Sequence, residues 1–185
     1  MKALILAAGM GARLRPLNLD LPKPLIEIKG KPLILWNIEK LRNSGITEIV
    51  INLFYKGEQI KEFLGTGSDY GVNILYSEEE ELLGTGGGIG NALDLLGKDP
   101  FLMISADVWT DFNMTNMALD ESLLAHLILK NNPVSHPEGD LSLQKGFVRD
   151  SFGAMRLTFS GIAMMNPYIF KNINQRKYEL WESVL

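Results

Sequence analysis

"LILAAGMGARLRPLNLDLPKPL", Leu4 to Leu25, joins a short apolar run to a loop of very small residues and then to cationic ones. Ala3 to Ala7 runs straight into Gly9, the pattern of a central parallel strand covered on both faces. Ala7, Ala8, Gly9 and Gly11 carry no obstructing bulk, so backbone N–H groups there can approach a ligand closely, and phosphate is the natural guest. Arg13 adds a planar fork of donors. Lys23, held between Pro22 and Pro24, adds a point charge on a stiffened backbone. A plain surface turn would account for the glycines but not for Arg13 together with Lys23. A dinucleotide fingerprint is disfavoured because Leu14 stands at its third glycine position, and the Gly-Lys-Ser/Thr ending of a Walker A loop is absent.

Outward from this loop, strand and helix alternate. A helical pattern (Ile34, Ile38, Leu41) follows Lys31, with Pro32 suited to its first turn and Gly45 to its C′ position. Strands are expected at Glu48 to Phe54, Val72 to Glu78 and Pro100 to Asp107, with helices over "GEQIKEFL" and "GGIGNALDLLG". Such alternation predicts an α/β fold: a doubly wound, mostly parallel Rossmann-like sheet built of right-handed βαβ units, with ligands beyond the C-terminal strand ends. After about residue 120 the rhythm changes to strands joined by polar turns. Residues 1–120 are therefore read as the nucleotide-binding core. Residues 121–185 are read as a small antiparallel acceptor-binding or lid region of the same domain, with the polar loop Asn131 to Asp140 inside it and an amphipathic helical fragment at its end.

The chain has 185 residues, 46% of them hydrophobic, enough for a real core. Its formal charge is −4 and no basic tract offers a nucleic-acid surface. The absence of cysteine excludes disulfides, thiolate metal sites and a cysteine nucleophile. The first apolar run is too short for a signal peptide or a membrane span, so a cytoplasmic protein is expected.

Two more loops carry chemistry. "LLGTGGGIG", Leu82 to Gly90, is short and lies between patterned elements, favouring close approach of a ligand over a flexible linker. Glu79 just before it could accept a hydrogen bond from a base, which would favour uracil or thymine, with their N3–H, over cytosine. It could equally be a solvated member of the run Glu78 to Glu81. Asp107 ends an apolar strand at the sheet's C-terminal edge, a place suited to holding Mg²⁺ against phosphates as well as to a turn or cap role. Beside the two phosphate-suited loops, metal is the favoured role. His136 is a weak substrate-contact candidate.

Together, Leu6-Ala7-Ala8-Gly9-Met10-Gly11-Ala12-Arg13, Pro22-Lys23-Pro24, Gly84-Thr85-Gly86-Gly87-Gly88 and Asp107 resemble the pattern of the sugar-phosphate nucleotidyltransferases. "DVWTD", "NNPVSHPEGD" and "TFSGIAMMNP" look like the branch that uridylylates N-acetylmuramate 1-phosphate in peptidoglycan recycling. The resemblance implies an enzyme that uses UTP, Mg²⁺ and a sugar 1-phosphate. It implies that Ala7, Ala8, Gly9, Gly11, Gly84 and Thr85 contact the nucleotide, that Arg13 and Lys23 meet its phosphates, and that Asp107 binds the metal. Gly139, Asp140, Thr158, Ser160 and Gly161 would contact the acceptor sugar, with Arg156 for its phosphate. It also implies a second metal carboxylate in a segment beyond residue 185, so the chain is read either as a truncated form or as a metal-impaired protein. Another sugar phosphate, dTTP as donor, or a non-catalytic nucleotide-sugar binding module are the alternatives.

Overall fold

A computed structural model of the chain describes residues 1–14, 20–115, 117–149 and 155–181. Among these, ten strands and three α-helices occur in the order β1 (Lys2–Leu6), β2 (Glu27–Ile28), β3 (Lys31–Pro32), α1 (Leu33–Asn43), β4 (Glu48–Leu53), α2 (Gly57–Leu64), β5 (Asn73–Glu78), α3 (Gly84–Leu96), β6 (Phe101–Ser105), β7 (Ala125–Lys130), β8 (Leu141–Gln144), β9 (Phe147–Arg149) and β10 (Met155–Met165). The main sheet runs β5-β4-β1-β6-β10-β8-β9, with β7 also paired to β10. The pairs β4–β5, β1–β4 and β1–β6 are parallel, and β10 joins β6, β7 and β8 antiparallel. The expected α/β class is therefore observed. The antiparallel part is woven into the same sheet through β10.

Strand alternation builds the layers. Ala3 and Ile5 of β1, Ile49 and Ile51 of β4 and Leu102 and Ile104 of β6 point to one face, where Ile34, Ile38 and Leu41 of α1 and Ile60 and Leu64 of α2 cover them. Leu4, Val50, Phe101 and Met103 point to the other, under Ile89, Ala92 and Leu96 of α3. Both faces being covered explains why the strands read as unbroken apolar runs.

Order along the sheet creates the site. From β1 the chain steps outward to β4 and β5, and α3 then carries it back across the sheet to β6 on the other side of β1. The loops after β1 and β6 thus diverge at a topological switch point, the usual ligand crevice of open α/β sheets.

Some local expectations shift. Pro32 caps α1 instead of sitting in its first turn, because it pairs with Glu27 in a hairpin whose two turn residues, Lys29 and Gly30, both have positive φ (54° and 75°). Gly45, with φ of 80°, donates to Arg42 O and ends α1 as expected. The glycines from Gly84 to Gly90 lie inside α3 and not in a loop before it. Of the terminal amphipathic fragment, Leu180 and Trp181 are helical, and residues 182–185 lie outside the described part.

Candidate active site

A pocket of about 690 Å³ opens where β1 and β6 diverge. Its walls are the Ala7–Gly11 loop, the turn that begins at Lys23, Gly84 and Thr85 at the start of α3, and Ser105 to Asp107. A Cβ at Gly9 would meet nothing within 4 Å, so this backbone faces open space. Gly11 has φ of 60°, which a side chain would resist. Arg13 belongs to the 3-10 turn Ala12–Leu14, and its side chain lies outside the described residues.

Lys23 begins a second 3-10 turn, with Pro22 before it and Pro24 within it. Its ammonium donates to the carboxylate of Asp107, and the two form an ion pair. The side chains are 29% and 43% exposed, so the pair is reachable from the pocket and adds little to stability. Asp107 fits Mg²⁺ well: a hard oxygen donor, accessible and already facing a cation. Mg²⁺ usually takes only one or two carboxylates plus substrate phosphates. Among the described residues no group of three or more His, Cys, Asp or Glu gathers for a metal.

Glu79 departs from both expectations. It is only 8% exposed and does not line the pocket. Its Oε1 accepts from Nδ2 of Asn52 at 2.7 Å and its Oε2 from the N–H of Leu83 at 3.1 Å. Burial raises its pKa above the ordinary carboxylate value, against the lowering effect of these two bonds. Both oxygens serve the fold, so the base-reading role is not what the geometry offers.

Close ligand approach is also not the reason for the central glycines of α3. A Cβ at Gly86 would lie 2.2 Å from Cε2 of Tyr178, one at Gly87 2.4 Å from Arg176 O, and one at Gly88 2.7 Å from both Asn52 Nδ2 and Glu79 Oε1. Gly86 and Gly87 admit the segment 176–180, which is tied down by Tyr178 N–H to Leu83 O (3.0 Å) and Gly87 N–H to Tyr178 O (3.1 Å), and Gly88 admits the Asn52–Glu79 bond. This segment brings Glu179 into the pocket wall, where it accepts from the N–H of Thr85 at 3.3 Å. Residue order alone gave no sign of Glu179. Asn52 did carry a signal, as the lone polar residue within the apolar run Ile49 to Phe54, and it lines the pocket as well.

None of the six expected acceptor residues lines this pocket. Arg156 is a correction: its guanidinium donates to the carbonyls of Glu138, Gly139 and Asp140 (2.9, 3.2 and 3.0 Å), stapling the Asn131–Asp140 loop to β10. Asp140 accepts from Phe159 N–H at 2.8 Å and contacts His136 Nε2 at 3.0 Å. Thr158 donates to Asn132 at 3.0 Å, and a Cβ at Gly139 would strike that same Asn132 side chain. The Ser160 hydroxyl is buried with no protein partner. Gly161, at the bulge in β10, leaves room for Ser105 and Val108 beside Asp107. A larger cleft of about 860 Å³ lies between α1 and residues 109–115, lined by Trp36 and Trp109, and contains none of the expected site residues.

A family model described as nucleotidyl transferase matches residues 2–128, which include every lining residue of this pocket except Glu179. The chain belongs to the nucleotidyl transferase family. This nucleotidyltransferase is 49% identical to the N-acetylmuramate alpha-1-phosphate uridylyltransferase of Neisseria meningitidis serogroup B, over 94% of its own length and 78% of the relative's. It is 36% identical to the mannose-1-phosphate guanyltransferase of Schizosaccharomyces pombe over its whole length, spanning about half (54%) of that protein. Among solved structures it is similar to HddC from Yersinia pseudotuberculosis, with a TM-score of 0.78 and 25% identity over 96% of this chain and 82% of that one. No helix among the described residues of the nucleotidyltransferase is long and apolar enough to cross a membrane.

Proposed function

We propose that this nucleotidyltransferase transfers a uridylyl group from UTP to N-acetylmuramate 1-phosphate, giving UDP-N-acetylmuramate and pyrophosphate, in peptidoglycan recycling. The observation that carries the reaction type is the contact of Lys23 with Asp107 beside a loop of exposed backbone at a sheet switch point. The similarity to the Neisseria uridylyltransferase supports the substrate pair. A nucleoside triphosphate donor sets the reaction in the cytoplasm. Residues 1–120 would hold the nucleotide and 121–185 the acceptor.

In this reading a phosphate oxygen of the sugar 1-phosphate attacks the α-phosphorus in line. The new O–P bond forms as the bond to pyrophosphate breaks. The nucleophile is already ionised near neutral pH, so no general base is required, in keeping with a pocket that histidine does not line. Ala7, Ala8, Gly9, Gly11, Gly84 and Thr85 present backbone to the nucleotide. Lys23, released from Asp107, meets the phosphate charge that grows in the transition state, and Arg13 does the same from its place in the first loop. Asp107 would hold Mg²⁺, which supplies charge neutralisation of the phosphates when bound.

The test is pyrophosphate release with Mg²⁺ and UTP, comparing N-acetylmuramate, glucose and N-acetylglucosamine 1-phosphates. Release with the muramate alone supports the proposal. The similarity to a mannose-1-phosphate guanyltransferase, over the whole of this chain and 54% of that protein, favours a second reading, GTP with mannose 1-phosphate, and release with that pair would replace the first.

A further inference from the structure

Asn52 lies at the end of β4, between the ends of β1 and β5, and is 3% exposed. Its Oδ1 accepts from the N–H of Ala7 at 2.8 Å, and its Nδ2 donates to Glu79 Oε1 at 2.7 Å. Glu79 in turn accepts from the N–H of Leu83, the residue before α3. The partners dictate the amide's orientation. Turned over, it would set Nδ2 against an N–H and Oδ1 against a carboxylate.

One unbroken buried chain therefore runs Ala7–Asn52–Glu79–Leu83. Its two ends are the first residue of the small-residue loop and the residue that leads into Gly84 and Thr85. These are two opposite contributors to the pocket wall, otherwise separate in sequence and in sheet position. Gly88 is part of the device, since any side chain there would occupy the space of the Asn52–Glu79 bond. A buried strand that needed only packing would carry another aliphatic residue at position 52. An amide here is costly unless both its ends are satisfied, and both are satisfied by the two loops.

We propose that Asn52 is a positioning residue of the transfer reaction. It sets the spacing between the Ala7–Gly11 loop and the start of α3 at Gly84 and Thr85 by fastening one to Glu79 and hence to the other. This rests on the reading of the pocket as the nucleotide site. Asn52 is part of the pocket lining, but its amide oxygen and nitrogen are engaged by Ala7 and Glu79, so its effect is to hold donors where the nucleotide meets them. Small displacements of such groups cost on the order of 10²-fold in rate.

A polarity swap tests it. Asn52→Asp alone sets two carboxylates face to face, and Glu79→Gln alone sets two amide donors face to face or strands the Leu83 N–H. Combined, the new carboxylate accepts from Ala7 and from the new amide, whose oxygen accepts from Leu83, so all three bonds return and only the one between positions 52 and 79 has its donor and acceptor exchanged. Pyrophosphate release is followed against nucleoside triphosphate concentration well below each variant's melting temperature. The expected result is a rise of about tenfold or more in nucleotide KM for each single variant and for Asn52→Ala, with recovery to within about threefold in the double variant. The acceptor KM should stay within about twofold throughout. A nucleotide KM unchanged in the single variants, or a double variant no better than Asn52→Asp alone whether from misfolding or from poor binding, overturns the proposal. If the unsubstituted protein does not release pyrophosphate from any nucleoside triphosphate, the nucleotide-site reading itself fails and the positioning role falls with it.

Discussion

The ammonium of Lys23 is ion-paired with the carboxylate of Asp107, 84 residues further along the chain. Each is the other's partner in the structure, and each has a different proposed partner during the reaction: phosphate for Lys23, a divalent cation for Asp107. The two roles make opposite demands, which can be measured separately. Lys23→Ala should lower turnover by about 10²-fold or more, the usual cost of one transition-state donor. The same variant frees Asp107, so Mg²⁺ should bind several-fold more tightly by titration. Turnover that survives the substitution would remove Lys23 from the chemistry.

Gly86 is a position where one carbon decides packing. A Cβ there would overlap the ring of Tyr178, so Gly86→Ala is expected to destabilise the protein by about 1–3 kcal/mol through overpacking, read by denaturant unfolding. Tyr178→Ala in the same chain should relieve part of that loss, making the double variant more stable than the sum of the two singles. Strict additivity would show that the ring does not rest on Gly86 in solution.

Arg156 holds the 131–140 loop by three carbonyl contacts. Removing it as Arg156→Ala should raise KM for the sugar 1-phosphate by about fivefold to tenfold, the order expected for losing charged hydrogen bonds that order a loop. The KM for the nucleotide should stay within about twofold. Equal loss for both substrates would mean that the loop does not serve the acceptor.

Tyr76 is pushed up to about 12 by burial, which outweighs the lowering effect of Lys61, and its hydroxyl donates to Gly65 O at 2.6 Å. An acid whose pKa is raised in the fold stabilises the fold below its ordinary value and loses that contribution as pH rises through the folded value. Stability should therefore fall between about pH 10 and pH 12. Tyr76→Phe should flatten that decline in denaturant melts across the interval. An unchanged slope would place the phenol in solvent.

The alternation of apolar strands with helical patterns was legible from residue order because burial on both sheet faces demands continuous apolar runs such as Leu4 to Leu6 and Phe101 to Ile104. The small-residue loop, the flanked Lys23 and the strand-ending Asp107 were legible for a similar reason: each depends on chemistry that is local to a few residues. Sequence could not tell what filled the space above Gly86, Gly87 and Gly88. Those glycines admit Tyr178, Arg176 and the Asn52–Glu79 bond, partners that are distant along the chain and meet only when α3 folds back over β1 and β4. The same holds for Glu79, whose neighbours in sequence are acidic and exposed while its neighbours in space are an amide and a backbone N–H. Residue order by itself determined the α/β sheet and the loops that frame the pocket, because periodicity and backbone freedom are local properties. Only the tertiary structure decided which polar groups face the pocket and which are spent inside the fold, because a hydrogen bond is satisfied by proximity in space.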